Sequence, residues 1–254
     1  DGTVQGLFEM LAIRYVGAGV AASAIGMDKD LMKRSMAACG LPVGPWVAFS
    51  KSEWEQDRPR LLAQLAELGY PVFVKPARGG SSVGISRVGD PSALDEAVAA
   101  AQLHDPKVIV EKGLTGCREI EVAVLGGRAG GAPKASLPGE IIVHDKASFY
   151  DFNAKYLPDE QVSLAIPAEL PAEVTAELRE LAVRTFKVMN VEGLARVDLF
   201  LCDDAKAYVN ELNTMPGFTS LSMFPMLWEA TGLAYSDLVA ELIELALERP
   251  LGLR

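Results

Sequence analysis

The amino-acid sequence predicts a mixed α/β and α+β fold, and three stretches carry that reading. An αβα step opens the chain, and a block of strands and helices fills 46–111. Two apolar runs, 194–201 and 207–212, flank the polar turn Asp203-Asp204-Ala205-Lys206 in the manner of a β-hairpin. With 254 residues, half of them hydrophobic, the chain suffices for one large domain or two smaller ones with a real core.

The elements follow from local patterns. Asp1-Gly2-Thr3 leads directly into a helical pattern near 3–12, capped by Asp1 or Thr3. No initiator methionine or targeting segment precedes it, which reads as a chain whose start has been removed. A short strand is expected at Arg14-Tyr15-Val16-Gly17, then one helix from about Ala21 to Cys39, stopped by Gly40. The run Leu41-Pro42-Val43-Gly44-Pro45 breaks the pattern. Strand 46–49, helix 60–68, strands 71–75 and 85–88, helix 91–101 and strand 108–111 form the α+β block. Strands near 119–125 and 140–143, an irregular aromatic loop to Leu157, a long helix near 171–190, the hairpin and a helix at 235–248 complete the chain. Glycine-rich 126–133 reads as a turn between strands.

Composition narrows the function classes. A formal net charge of −10 and the lack of a basic stripe exclude a nucleic-acid surface. His104 and His144 are the only histidines, too few for a histidine-based zinc site or triad. No apolar run reaches membrane-spanning length, so no membrane partner is expected. Cys39, Cys117 and Cys202 are odd in number and lack metal or redox spacing, which points to small apolar filler in a reducing, cytoplasmic protein.

The hairpin carries the most chemistry. A turn centred between Asp204 and Ala205 sets Asp198 opposite Glu211 and Arg196 opposite Asn213, and the period of two puts all four on one face. Facing carboxylates repel unless a cation lies between them, and Asp198, Glu211 and Asn213 offer only oxygen to such a hard cation. A solvated hairpin face is the bland alternative, weakened because Leu199, Leu201, Val209 and Leu212 make both strands look buried.

Other motifs suggest an anion beside it. Lys75 ends an apolar strand directly before Pro76-Ala77-Arg78-Gly79-Gly80-Ser81-Ser82-Val83-Gly84, a loop rich in backbone N–H groups and hydroxyls. It is not a Walker loop, since a strand and not a helix follows; by itself a tight turn would explain it. Strand 108–111 ends in Glu111-Lys112-Gly113-Leu114, where exposed backbone can read a base and a nearby carboxylate, Glu119 or Glu121, can accept ribose hydroxyls. Lys29, in Met27-Asp28-Lys29, opens a helical turn within reach of a phosphate, against the commoner reading of a solvated lysine. The segment Phe149-Tyr150-Asp151-Phe152-Asn153-Ala154-Lys155-Tyr156 is too aromatic for a mere connection, and core packing of Phe149 and Phe152 is its bland reading. The stretch 213–223 leaves the hairpin with a glycine and hydroxyls able to hold an oxyanion.

Taken together, DGTVQG, MDK, FVKPARGGSSVG, VEKGL, REIEVAVLG, FYDFNAKY, ARVD and NELNTMPGFTSLSMFP resemble the ATP-grasp superfamily, and within it the D-alanine:D-alanine ligase family, over nearly the whole chain. That resemblance implies an ATP-grasp fold: a remnant of an N-terminal α/β domain at 1–20, a central lid at 21–112 and a larger C-terminal catalytic domain with a mixed or antiparallel sheet at 113–254. It implies an ATP-dependent ligase that joins two D-alanines through an acyl phosphate for peptidoglycan synthesis, cytoplasmic and homodimeric. Lys29, Lys75, Ser81, Ser82 and Val83 would bind the ATP phosphates; Glu111, Lys112 and Leu114 the adenine; Glu119 the ribose; Lys155 the transferring phosphoryl group. Asp198, Glu211 and Asn213 would hold two Mg²⁺ (or Mn²⁺) ions. Arg196 and the Gly217 amide would stabilise the tetrahedral oxyanion, Ser222 and Met223 receive a substrate carboxylate, Tyr150 and Tyr156 contact the D-alanines, and Ser81, Lys155 and Tyr156 join Arg196 and Gly217 as catalytic residues.

Phe152 and Asn153 depart from a frequent Tyr-Glu pair, and Cys117 sits in what looks like a one-residue extension before Glu119. Asp1 follows immediately on the place where the family has a histidine–glycine segment and a glutamate that anchors the amine of the first D-alanine. The alternatives are a truncated nucleotide-binding module without turnover and an ATP-grasp ligase for D-lactate or D-serine. Tyr156 speaks against D-lactate, because relatives that make the depsipeptide commonly carry histidine there.

Overall fold

The computed structural model describes residues 1–144, 162–203 and 206–250. Three helices come first: α1 (Thr3–Met10), α2 (Val20–Met27) and α3 (Lys29–Ala38). The next block runs β1 (Trp46–Ser50), α4 (Lys51–Gln56), α5 (Arg58–Leu68), β2 (Val72–Pro76), β3 (Ser86–Val88), α6 (Leu94–Gln102) and β4 (Lys107–Lys112). Then follow β5 (Arg118–Leu125), β6 (Lys134–Ala135), β7 (Gly139–Val143), β8 (Val162–Ala165), α7 (Ala172–Val188), β9 (Leu194–Leu201), β10 (Ala207–Asn213), α8 (Met223–Ala230) and α9 (Tyr235–Glu248).

Two antiparallel sheets organise these elements. The smaller has the order β1-β4-β2-β3, and the larger β10-β9-β5-β7-β8 with β6 alongside β5. Period-two alternation assigns the faces of the small sheet. Val72, Val74, Val108 and Val110 face α5 and α6 and build one core with Leu61, Leu65 and Val98. Phe73, Lys75 and Glu111, on the alternate positions, turn the other way. In the large sheet, Ile120, Val122, Val197, Leu199 and Val209 meet α2, α3 and α7 through Ala22, Met32, Met36, Leu178 and Phe186. The opposite face changes character along its length. Ala123, Leu125 and Leu194 are covered by α8 and α9, whereas Glu119 and Asp198 open onto a cleft.

Several expectations are corrected. The segment 14–17 is not a strand. It has no ladder partner and is instead pinned from the far end of the chain, Arg14 Nε donating to the Arg249 carbonyl and Arg249 Nη2 to the Tyr15 hydroxyl at 2.7 Å. The single helix expected over 21–39 is two, because Asp28 leaves helical geometry and its carboxylate accepts from the Asp30 and Leu31 amides, capping α3. Helix α4 was legible but unread: Ser50 and Glu53 form a reciprocal capping box. The short helix α8 was also missed.

The cysteine reading is overturned as well. Cys117 and Cys202 form a disulfide, and Cys39 is free and exposed rather than apolar filler. The β5–β9 ladder explains the pairing: Arg118 lies opposite Leu201, so the next residue outward on each strand meets its counterpart. Partners 85 residues apart show no local spacing, and their union removes the cysteine argument for a reducing compartment. Among the described residues no helix is long and apolar enough to cross a membrane.

The hairpin forms with the expected pairs by an unexpected route. Ala207–Leu201 and Val209–Leu199 are paired one residue out of the predicted register, and a bulge between Val209 and Glu211 restores Glu211–Asp198 and Asn213–Arg196. Asn210 is the inserted residue. It and Glu211 both border the cleft opposite Asp198, while Val209 and Leu212 stay buried. Asp204 and Ala205 lie outside the described residues.

Candidate active site

The outward face of the small sheet and the polar end of the large one enclose a cleft of about 860 Å³, within the range of small-molecule sites. It is lined by Lys29, Lys75, the 79–83 loop, Glu111, Lys112, Leu114, Glu119, Arg196, Asp198, Glu211 and Asn213. Residues from five strands and one helix thus converge although they span most of the chain.

On one side lies the phosphate-type chemistry. Ser81 and Ser82 both have left-handed backbone, with φ of 53° and 58°, an unfavourable conformation for residues with side chains and one that clusters at ligand-holding loops. Gly84 closes the loop at φ 72°, where a Cβ would lie 2.5 Å from the His104 ring. The first residue of α3, Lys29, donates from Nζ to the Gly79 carbonyl at 2.8 Å and lies 3.8 Å from Glu211, so it bridges the loop and the hairpin.

Glu111 was expected beside a base. Its side chain is instead committed to two lysines, Lys33 Nζ at 2.8 Å from Oε1 and Lys75 Nζ against Oε2. Burial pushes the Glu111 carboxyl up, but the two cations outweigh it and hold the group well below the usual carboxylate range. Lys75 is raised, burial pulling it down and Glu111 more than compensating. Only the main chain of Glu111 is left for a ligand. Beside it, Gly113 allows a close approach, since a Cβ there would sit 2.8 Å from the Pro71 carbonyl.

On the other side three carboxylates lie in a row across three strands, Glu121, Asp198 and Glu211 being register partners. Arg196 pairs with Asp198 through both Nε and Nη2, at 2.7 and 2.8 Å, and with Glu121 at 3.1 Å. Burial disfavours its charge, but Asp198 and Glu121 outweigh that and raise its pKa further. Asn213 Nδ2 donates to Asp198 Oδ2 at 2.9 Å, so two of the expected metal ligands already touch. Among the described residues no three His, Cys, Asp or Glu side chains converge on one point. A cation here would therefore be held by two carboxylates and an amide oxygen, its shell completed by water and phosphate. That is the donor set Mg²⁺ accepts, so the residues fit.

Not every expected residue is brought here. Gly217, Ser222 and Met223 are absent from the cleft lining. Ser222 precedes α8 and accepts from the Thr219 amide at 3.0 Å, and the Met223 side chain is core, leaving main-chain groups for any ligand. Tyr150, Lys155 and Tyr156 lie outside the described residues. Conversely, Lys33 and Asn210 were not singled out as site residues, and Glu121, weighed beside Glu119 as a ribose acceptor, instead pairs with Arg196. Lys33 carried a signal, falling one helical turn after Lys29 on the same face; Asn210 carried none, because a bulge is set by the ladder.

A family model described as "D-ala D-ala ligase C-terminus" matches residues 35–244. The chain is 56% identical to the D-alanine--D-alanine ligase of Kineococcus radiotolerans, covering all of this chain and 68% of that one. It is 53% identical to the ligase of the same name from an Arthrobacter species, covering 66% of that protein. Among solved structures it is similar to the D-alanine-D-alanine ligase of Coxiella burnetii, with a TM-score of 0.83 and 39% identity over 98% of this chain and 64% of that one. The VanG D-Ala:D-Ser ligase of Enterococcus faecalis gives 0.86 and 35% identity over 97% of this chain and 69% of that one. The chain thus spans about two thirds of the length of these relatives. A cleft that joins a glycine-serine loop and two lysines to an oxygen-donor hairpin, and a family model matched across most of the sequence, lead to one conclusion: this chain belongs to the D-alanine:D-alanine ligase family, with the ATP-grasp fold.

Proposed function

We propose that the protein, at the length of its relatives, is an ATP-dependent ligase that joins two D-alanines into D-alanyl-D-alanine for peptidoglycan. The observation that carries this reading is the convergence of Lys29, Lys75, Glu119, Arg196, Asp198, Glu211 and Asn213 on a single cleft. ATP would lie between the sheets, its phosphates against Lys29, Lys75 and the Ser81-Ser82-Val83 loop, its adenine along the main chain of 111–114 near Lys112 and Leu114, and its ribose at Glu119. The γ-phosphoryl group would pass to the carboxylate of the first D-alanine with release of ADP, and the neutral amine of the second would attack the acyl phosphate, lose a proton and expel inorganic phosphate. Arg196, held rigidly by Asp198 and Glu121, would offer its remaining N–H groups to the tetrahedral oxyanion, together with the Gly217 amide. Ser222 and Met223 would take the second carboxylate through main-chain and hydroxyl groups, Lys155 would contact the transferring phosphoryl group, and Tyr150 and Tyr156 would contact the D-alanines. Asp198, Glu211 and Asn213 would hold two Mg²⁺ or Mn²⁺ ions, which when bound offset repulsion between phosphate and carboxylate.

A cytoplasmic homodimer is the setting proposed. The division into 1–20, 21–112 and 113–254 is kept with one amendment: α2 and α3 pack into the core of the large sheet, which supports starting the lid near β1. A coupled ADP-release assay, with D-alanine alone and in competition with D-serine or D-lactate, tests the reading on this chain and on one extended to its relatives' length. ATP binding without ADP release from the extended protein would favour a non-catalytic nucleotide module, and preferential use of D-serine or D-lactate would change the substrate.

A further inference from the structure

Lys33 is among the least exposed charged groups of the described residues, at 2% of its free surface, and no role in the proposed reaction accounts for it. It lies one turn after Lys29 on α3 and borders the same cleft. Its Nζ is 2.8 Å from Glu111 Oε1, and the other oxygen of Glu111 is held by Lys75. The Lys33 ammonium also lies 5.9 Å from the centroid of Trp46, and that of Lys75 5.8 Å from Phe73, so apolar rings partly wall the triad from water. Glu111 and Lys75 belong to the small sheet, whereas α3 is rooted in the core of the large one.

Charge counting gives this arrangement a purpose. Lys75 with Glu111 alone is a neutral pair. An incoming phosphate would meet no net attraction from it and would face the Glu111 carboxylate in a weakly screened site. Lys33 supplies the second cation, which leaves the triad at +1. An ammonium has three donors, so Lys75 can keep its bond to Glu111 and still direct others at an anion. We propose that Lys33 is a positioning residue for nucleotide binding: by neutralising Glu111 from behind, it leaves the charge of Lys75 available to phosphate. The proposal rests on the reading that this cleft takes ATP.

The test is calorimetric titration of the 254-residue chain with ATP plus Mg²⁺ and, separately, with adenosine. The proteins are wild type, Lys33→Met, Lys33→Arg, Glu111→Gln and the Lys33→Met/Glu111→Gln double variant. In Lys33→Met the Lys75 ammonium is left to neutralise Glu111 alone and its charge-assisted hydrogen bond to phosphate is lost, so ATP should weaken about tenfold or more, with adenosine changed less than about twofold. Lys33→Arg should stay within about threefold of wild type, because the charge is kept. Glu111→Gln should bind ATP at least as tightly as wild type, and adding Lys33→Met to it should cost less than about twofold, since no carboxylate remains to neutralise. Undiminished ATP binding by Lys33→Met overturns the proposal. So does a parallel loss of adenosine, or a tenfold loss that persists in the Glu111→Gln background, since each marks a packing role or a direct contact. Should Lys33→Met fail to fold, the double variant is compared with Glu111→Gln: a tenfold difference in ATP binding between them overturns the proposal, and a difference under about twofold supports it. Absence of ATP binding by the wild-type chain refutes the reading of the cleft, and the proposal with it.

Discussion

Replacing Asp198 by asparagine keeps the side chain's shape and removes one negative charge from the centre of the hairpin face, and two separable losses follow. The first is in stability. The two oxygens of Asp198 accept from Arg196 Nε, Arg196 Nη2 and Asn213 Nδ2. An amide offers a single oxygen and turns its own N–H groups towards donors, so at least one of these bonds is lost. Breaking one side of a buried ion pair typically costs about 3–5 kcal/mol, but Glu121 stays 3.1 Å from Arg196 and the amide still accepts one bond. The expected cost is therefore about 2 kcal/mol, or about 4–8 °C in melting temperature for a chain of this size. The second loss is in metal-dependent binding, because one of only two carboxylates in the candidate metal set is gone. Scanning calorimetry with ATP plus EDTA and with ATP plus Mg²⁺ separates the two. Wild type should gain further stability when Mg²⁺ accompanies ATP, by the linkage of ligand binding to folding, and Asp198→Asn should not. A variant that melts with wild type would show that Asp198 does not anchor Arg196. A variant that keeps the Mg²⁺ increment would remove Asp198 from the metal site.

Glu211→Gln keeps the side chain's shape and removes one charge, so the fold should be kept while Mg²⁺-dependent ATP turnover by the extended protein is abolished, and unchanged turnover would sink the metal assignment. Lys75→Ala should cost about 1.5–3 kcal/mol of ATP binding if the ammonium makes a charge-assisted hydrogen bond to phosphate, and equal affinities by calorimetry would mean that it serves Glu111 alone. Tyr156 is a neutral phenol, so the extended enzyme should make dipeptide rather than depsipeptide between about pH 6 and 8. In Tyr156→His the imidazolium forms as pH falls through its pKa, so D-lactate incorporation should rise most at the acid end; substantial depsipeptide from the unmutated enzyme, measured with both substrates in competition, would refute this.

Sequence alone determined the pieces whose chemistry is local. Strands β2, β4, β5 and β9 were legible as apolar runs of strand length, and α7 and α9 because their apolar residues recur with the period of a helix. Lys75 before its glycine-serine loop, and Asp198, Glu211 and Asn213 on one hairpin face, were readable because strand alternation assigns a face without knowledge of the partner. Tertiary structure decided whatever depends on what lies across a gap. The hairpin pairs are right, yet a bulge produces them, since the register near the turn differs from that beside Asp198 and only the finished ladder shows where the extra residue is absorbed. The Cys117–Cys202 bond joins residues that only the β5–β9 pairing brings together. Glu111 looked like a base contact because it ends a strand. Its side chain instead serves Lys33 and Lys75, since a buried carboxylate must find cations, and those cations come from a helix and a strand remote in sequence.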